Sequence, residues 1–387
     1  MTVTTAPARP QGEQRLLGGP HPGPLPRIDA HSLAELLTEA GLTGRGGAGF
    51  PTARKLAALD GRRPVVVGNA MEGEPLSHKD AVLLQDSPDL VLDGLEILSR
   101  ALKASRTILA VGGTVPAPAA RRGIEVRRLE DTFVAGQETA LVNQLNGRGP
   151  LPTDPTTPVF RKGVGGRPTL VLNAETLAQL ALLVRHGAAW FRSQGLPDDP
   201  GTFLITLSAS SPTLLPSAGV LEAGRGVTLA EVVRRGGGDP ARVQAVLVGG
   251  YHGAWVPGTA LDTPLSVPGL KPLGATPGAG IVHLLDTATC PLEVAARVTA
   301  YLADQSARQC GPCLNGLPHM ARTMQWLARP GADPRLLDEL ERLQLLVTGR
   351  GACKHPDGTV RFVASTLRVF DAHVDQHLRG YCDKELR

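Results

Sequence analysis

Apolar positions along this chain change period several times, and each change marks an element. Leu33, Leu36, Leu37 and Leu42 recur at helical spacing in "HSLAELLTEAGL" and predict a short helix. "PTARKLAALDG" predicts another, with Pro51 in its first turn and Gly61 at its end. "PVVVGNA" and "TILAVGG" are short aliphatic runs that suit buried strands, and "DLVLDGLEILSRALKAS" between them is helical. "QETALVNQLNG" and "AETLAQLALLVRHGA" continue as helices. Strands alternating with helices imply a parallel, doubly wound sheet. Residues 1–28 are rich in Pro and Gly with almost no periodicity, and read as a disordered tail.

Near residue 200 the texture changes. "GTFLITLSAS", "GVTLAEVVRRGGG" and "VQAVLVGGYHGAWV" predict a strand, a short helix and one further strand, a small α+β unit reaching about residue 285. The remainder is helical, with Leu336, Leu340, Leu343 and Val347 in one periodic set and Val363, Leu367, Phe370 and Val374 in another. No internal repeat of solenoid length is visible.

Composition narrows the function classes. A length of 387 residues suits two or three domains, and a net charge of +4 is too small to argue for nucleic acid. No secretory leader and no apolar run long enough to span a bilayer is visible, so the expectation is a cytoplasmic protein that meets a membrane only through a partner. The cysteines are Cys290, Cys310, Cys313, Cys353 and Cys382. Their count is odd and three of them read as a ligand set, which favours a reducing compartment.

The chemistry concentrates in a few stretches. "GLTGRGGAGFPTARK" places Gly44, Gly46 and Gly49 in G-x-G-x-x-G order before a helix. Closely approachable backbone N–H groups, the positive end of that helix and Lys55 one turn into it suit a phosphate. A glycine turn with a surface lysine fits the local signal equally well. A Rossmann fingerprint should follow a strand, and here a helix and loop precede it. "VVVGNAMEGEPLSHKD" puts Asn69, Glu72 and Glu74 just past a strand, where open α/β sheets bind ligands.

"GRGGAGFPTARK", "GNAMEGEPLSHKD", "FVAGQETALVNQLNG", "GGRPTLVLNAETLA" and "QCGPCLNG" follow one another in an order that resembles the flavoprotein subunit of respiratory complex I. Related bacterial hydrogenase and formate dehydrogenase subunits share that order. The resemblance runs from about residue 40 to the C-terminal helices. It implies an FMN-binding Rossmann-like domain over residues 29–199, a small SLBB (β-grasp-like) domain over 200–285 and a helical iron–sulfur domain over 286–387. The implied chemistry is hydride transfer from NADH to FMN and single-electron transfer onward to iron–sulfur centres. By the same resemblance Arg45, Gly46, Gly47, Lys55, Asn69, Glu72, Gly136, Glu138 and Asn173 would meet FMN, while Phe50, Glu74 and Glu138 would hold NADH.

The chain departs from the family pattern at Met71, Phe133, Gln137, Leu172 and Ala58, where Asp, Tyr, Glu, Asn and an aromatic are usual. The phosphate-holding part is better kept than the nicotinamide-holding part, so FMN binding is expected to be more secure than NADH binding. Cys310, Cys313 and Cys353 match three of the four cluster ligands, and Ala307 stands where the first should be. Four arrangements are open: a 4Fe–4S cluster with a non-cysteine ligand, a 3Fe–4S cluster, recruitment of Cys290 or Cys382, or zinc held by Cys310, Cys313, Cys353 and His355. The implied function is an electron-transfer flavoprotein fed by NAD(P)H or a protein donor, serving a ferredoxin-like partner. The competing reading is a binding or scaffolding subunit with a Cys3His zinc site and no NADH turnover.

Overall fold

The computed structural model describes residues 14–18, 23–59, 63–121, 123–154 and 156–384. Helix α1 (Ala30–Ala40) starts where the Asp29 carboxylate accepts from the Ser32 amide, and stops at Gly41 in the left-handed conformation. A loop leads to the short helix α2 (Thr52–Ala57) and strand β1 (Val65–Ala70). Then follow α3 (Lys79–Asp86), α4 (Pro88–Ala101), β2 (Arg106–Val111), β3 (Glu125–Arg128), α5 (Glu138–Leu145), β4 (Thr169–Asn173) and α6 (Ala174–Arg192).

These strands form one parallel sheet in the order β3-β2-β1-β4, with Val67 opposite Ile108 on one side and Val171 on the other. Successive side chains point to opposite faces, so the continuous apolar run of β1 serves two layers. Val66, Leu109 and Leu172 pack with α1, α4 and α6, while Val65, Val67, Ile108 and Val171 pack with α5. This is the α/β layering that the alternation of strands and helices implied. Both β1 and β4 end at one edge of the sheet, beside the loop that follows α1.

A two-stranded turn (β5, Gly195–Leu196; β6, Asp199–Pro200) leads to a second sheet. It contains β7 (Thr202–Ala209), β8 (Gly219–Gly224), β9 (Val243–Val248), β10 (Ala254–Pro257) and β11 (Ile281–Asp286), with α7 (Leu229–Arg235) and α8 (Val267–Leu270) between them. The order is β10-β9-β11-β7-β8, parallel only between β7 and β11. One face packs with α7; the other offers Ala245, Leu247, Trp255 and Leu285 to the C-terminal helices. Those are α9 (Pro291–Asp304), α10 (Leu317–Leu327), α11 (Arg335–Val347), α12 (His355–Val369) and α13 (Asp371–Leu378).

Two expectations change. "VQAVLVGGYHGAWV" is two strands, because Gly249 and Gly250 both take positive φ and reverse the chain between β9 and β10. Most of the expected 1–28 tail and the expected helix end at Gly61 lie outside the described residues. Within the former, however, Leu16 is fully buried and its amide donates to the Glu222 carboxylate on β8.

Candidate functional site

The crevice forms where the loop after α1 crosses the carboxyl ends of β1 and β4. Asn69 is the last residue but one of β1: its Nδ2 donates to the Gly136 carbonyl at 2.9 Å, and its Oδ1 accepts from the Met71 amide. Asn173 ends β4, where Nδ2 donates to the Asn69 carbonyl and to Asp80 Oδ2 (2.7 Å) while Oδ1 caps α6 through the Glu175 amide. Gly46 lies against this side chain; a Cβ there would come within 3.3 Å of Asn173 Cβ. Gly47 and Gly49 hold φ of 105° and 61°, conformations other residues rarely take.

Lys55 reaches across from α2. Its Nζ lies 2.9 Å from Glu138 Oε1 at the start of α5 and 3.2 Å from the Val171 carbonyl. Both partners of this ion pair are about one-third exposed. Gly136 faces Met71, with an added Cβ only 3.1 Å from the Met71 carbonyl oxygen. Lys55, Asn69, Gly136, Glu138, Asn173 and Gly46 are therefore brought together at one sheet edge.

Other residues nominated from the sequence sit differently. The Arg45 side chain is buried; its guanidinium donates to Thr43 Oγ1 and the Pro200 carbonyl, and its amide donates to Thr176 Oγ1. Burial, then repulsion from Arg225, lowers its pKa to about 10. Arg45 thus straps the glycine loop to β6 and α6. Glu72 accepts from Ser77 Oγ and from the amides of Asp80 and Ala81, which caps α3. Burial and the neighbouring Asp80 raise its pKa. Glu74 accepts from the Tyr251 amide at 2.9 Å in the turn between β9 and β10, and burial pushes it up to about 7. Phe50 is 46% exposed.

The departures from the family pattern also have local explanations. Gln137 accepts from the amides of Thr139 and Ala140, so a neutral side chain caps α5. Phe133 stacks edge-on against His252 at 4.7 Å and His355 at 5.5 Å between ring centroids.

Sequence reasoning assigned no role to Lys79, Asp80 or Glu175. Lys79 is 2% exposed, with its Nζ 2.7 Å from Asp80, 3.0 Å from Asn173 Oδ1 and 3.2 Å from Glu175. Burial works against its charge, but Asp80 and Glu175 outweigh that effect and its pKa rises. Glu175 also accepts from the Leu204 amide on β7 and so joins the two sheets. "SHKD" and "NAET" supplied polar residues at strand ends, but nothing local in the sequence pairs them.

A second set of groups lies in the helical layer. Cys313 is buried, and Cys310 and Cys353 are partly exposed. Burial, then the neighbouring Cys310 and Cys353, pushes the Cys313 thiol up to about 12, and burial first raises Cys353. The three thiols are thus electrostatic neighbours, although their sulfurs do not all lie within 4.8 Å of one another; soft thiolate donors of this kind suit an iron–sulfur centre. His355 is engaged elsewhere: Nε2 lies 2.8 Å from the Leu302 carbonyl and Nδ1 lies 3.0 Å from His252 Nε2. The Cys3His zinc set is accordingly not assembled in this structure, where both ring nitrogens of His355 face other partners.

Cys290 cannot serve the three thiols either. It precedes α9, whereas His355 fixes the Cys353 segment at the far end of that helix, roughly 18 Å away at the helical rise. Cys290 instead lies with Cys382 and His377.

A cavity of about 170 Å³ opens beside the crevice, lined by Gly44, Gly47, Gly49, Glu175, Arg225 and Gly278 among others. It is smaller than the ~300 Å³ at which ligand pockets begin. Lys55 and Asn69 are not among its walls, so it is a side recess under the glycine loop.

The class follows from two family models. Residues 37–182 match the Nuo51 FMN-binding domain, and residues 293–377 match the NADH-ubiquinone oxidoreductase-F iron–sulfur binding region. The chain belongs to the family of flavoprotein subunits of respiratory complex I and related hydrogenases. Among particular proteins, it is 28% identical to the F 2 subunit of NADH-quinone oxidoreductase in Rhizobium meliloti (strain 1021), over 89% of this chain and 88% of that one. It is 29% identical to the F subunit of the same oxidoreductase in Streptomyces coelicolor, over 90% and 83% respectively. An NAD+-reducing NiFe hydrogenase in the H2-reduced state superposes with a TM-score of 0.80 at 29% identity over 91% of this chain. The present chain spans 62% of that hydrogenase chain. No helix among the described residues is long and apolar enough to cross a membrane.

Proposed function

We propose that this chain is an NADH-dehydrogenase-like electron-transfer subunit that holds FMN in the crevice and an iron–sulfur cluster on Cys310, Cys313 and Cys353. The observation that carries the reading is the meeting of an exchangeable Lys55–Glu138 pair with the amides of Asn69 and Asn173 beneath a glycine loop. When bound, FMN supplies the conversion between two-electron and one-electron transfer.

The chain's own residues then bind and orient. Lys55 supplies positive charge for the phosphate, and Gly46 and Gly47 let the backbone approach without a Cβ in the way. Asn69 and Asn173 hold the floor rigid through the bond between them. Arg45, Glu72 and the Lys79 cluster keep the loop and strand ends in place. The donor face is the Phe50, Glu74 and Glu138 side, where a nicotinamide nucleotide would lie. Phe133, His252 and His355 pack edge to face on one another and so tie the segment before α5 to the β9–β10 turn and the start of α12.

In this reading residues 29–199 are the Rossmann-like flavin domain, 200–285 an SLBB domain and 286–387 a helical cluster domain. The five-stranded mixed sheet and the five C-terminal helices support that division. The partner is a ferredoxin-like protein or other redox subunit, in the cytoplasm, since the relatives are subunits of larger complexes. With Ala307 at the first ligand position, the cluster is a 3Fe–4S centre or a 4Fe–4S centre with one non-cysteine ligand.

The test is an anaerobic titration of flavin-loaded protein. Stoichiometric bleaching of the flavin band by micromolar NADH establishes the NADH donor. Bleaching by reduced ferredoxin alone replaces it with a protein donor. A chain that takes up no FMN at high concentration overturns the whole reading.

A further inference from the structure

A second group of metal-ligating side chains lies outside both sites. Cys290 Sγ, His377 Nε2 and Cys382 Sγ contribute ligand atoms that all lie within 4.8 Å of one another. Cys290 and His377 are fully buried, and Cys382 is half-buried. They come from three segments: the residue before α9, the last turn of α13, and the chain just beyond α13. Gly380, at a φ of 90°, turns that chain back, and the Tyr381 amide donates to the Gln376 carbonyl. The reversal returns Cys382 to the histidine five residues behind it.

We propose that Cys290, His377 and Cys382 bind a zinc ion, separate from the Cys310, Cys313 and Cys353 set, that clamps the segment after α13 to the start of α9. The spacing fits the metal. Zinc bonds of ~2.3 Å to sulfur and ~2.0–2.1 Å to nitrogen, at a tetrahedral angle, place sulfur and nitrogen about 3.6 Å apart. Cys290 Sγ lies 3.6 Å from His377 Nε2.

The histidine is also set in the required tautomer. His377 Nδ1 lies 3.3 Å from the Leu327 carbonyl at the end of α10, which makes it the N–H donor. The lone pair of Nε2 is then directed at the sulfur. A carbonyl bonded to the nitrogen remote from the ligand atoms is the usual outer support of a metal-bound imidazole. The same histidine's own carbonyl accepts from the Gly331 amide at 2.7 Å, so both its backbone and its ring are anchored to the α10 end. On binding, the two thiols release their protons to solvent, and two thiolates neutralise Zn2+. Water completes the fourth position.

The proposal does not depend on the flavin reading, because zinc is counted whether or not FMN is present. Full-length protein is purified without added metal and assayed for zinc and iron by mass spectrometry. The wild type should carry close to one zinc per chain. Cys382→Ser should lose at least tenfold of it while keeping iron, and Cys310→Ala should lose iron while keeping zinc. Since Cys290 and His377 are fully buried, the half-exposed Cys382 provides the decisive variant, with matched circular dichroism showing that it folds. Cobalt(II) exchange should give a thiolate-to-cobalt charge-transfer band in the wild type and none in Cys382→Ser. Three results would overturn the proposal: no zinc even after incubation with Zn2+, zinc that follows Cys310 and not Cys382, or a Cys290–Cys382 disulfide recovered by peptide mapping.

Discussion

Two lysines near the crevice have opposite fates. Lys79 is sealed in, its charge balanced by Asp80 and Glu175 and its ammonium also bonded to the Asn173 amide oxygen. Removing it would strand buried carboxylates, a loss of about 3–5 kcal/mol in stability for such a group. Lys55 is one-third exposed and pairs with a single carboxylate, Glu138. An exposed pair of this kind contributes about 0–1 kcal/mol, so a phosphate can displace Glu138 at small cost. Lys55→Ala is therefore expected to weaken FMN binding at least tenfold while leaving the thermal midpoint of the apoprotein nearly unchanged. Flavin fluorescence titration into apoprotein reads the first quantity and calorimetry the second. Unaltered affinity would remove Lys55 from the phosphate site.

At the scale of elements, α4 and α6 cover one face of the parallel sheet and approach each other closely at Gly94. A Cβ on Gly94 would lie 2.2 Å from the Leu177 carbonyl oxygen, against backbone that cannot turn aside. Gly94→Ala should force the helices apart and destabilise the protein by about 1–3 kcal/mol, as overpacking in a close-packed interior does. The denaturant midpoint should fall accordingly. It should stay put in the control Gly149→Ala, where the nearest atom to an added Cβ is 3.8 Å away. The elements concerned differ in how readable they were. Buried on both faces, β1 and β2 announce themselves as aliphatic runs, and α4 and α6 show helical period over many residues. The edge strand β3 reads "EVRR" and is largely exposed, so no apolar pattern marks it. The crevice residues stood in recognisable stretches because strand ends and glycine loops are local features. Lys79–Glu175 and Cys290–His377 join residues far apart in the chain, and only tertiary folding brings those together.

The whole molecule is joined at a buried polar node that no single segment reveals. Glu222 on β8 is fully buried; its carboxylate accepts from the Leu16 amide at 2.6 Å and from Thr202 Oγ1 at 2.5 Å. Gln179 on α6 donates to the carbonyl and hydroxyl of the same Thr202. The node thus links the N-terminal segment, the helix covering the parallel sheet and the edge of the second sheet. Burial pushes Glu222 up to about 7 from an ordinary 4.5. The folded state consequently binds this proton more tightly than the unfolded chain does. The contribution to stability is fully present below 4.5 and is lost as pH rises through about 7. Glu222→Gln keeps one accepting oxygen and, like the protonated acid, offers a donor towards Thr202, but it cannot ionise. At about pH 8 the variant should be more stable than wild type by roughly 3 kcal/mol at most, and near pH 4.5 the two should converge. Urea midpoints of both proteins across this range give the comparison. A constant difference at every pH would show that Glu222 ionises in the folded protein as readily as in the unfolded one, and that the node is held by its hydrogen bonds alone.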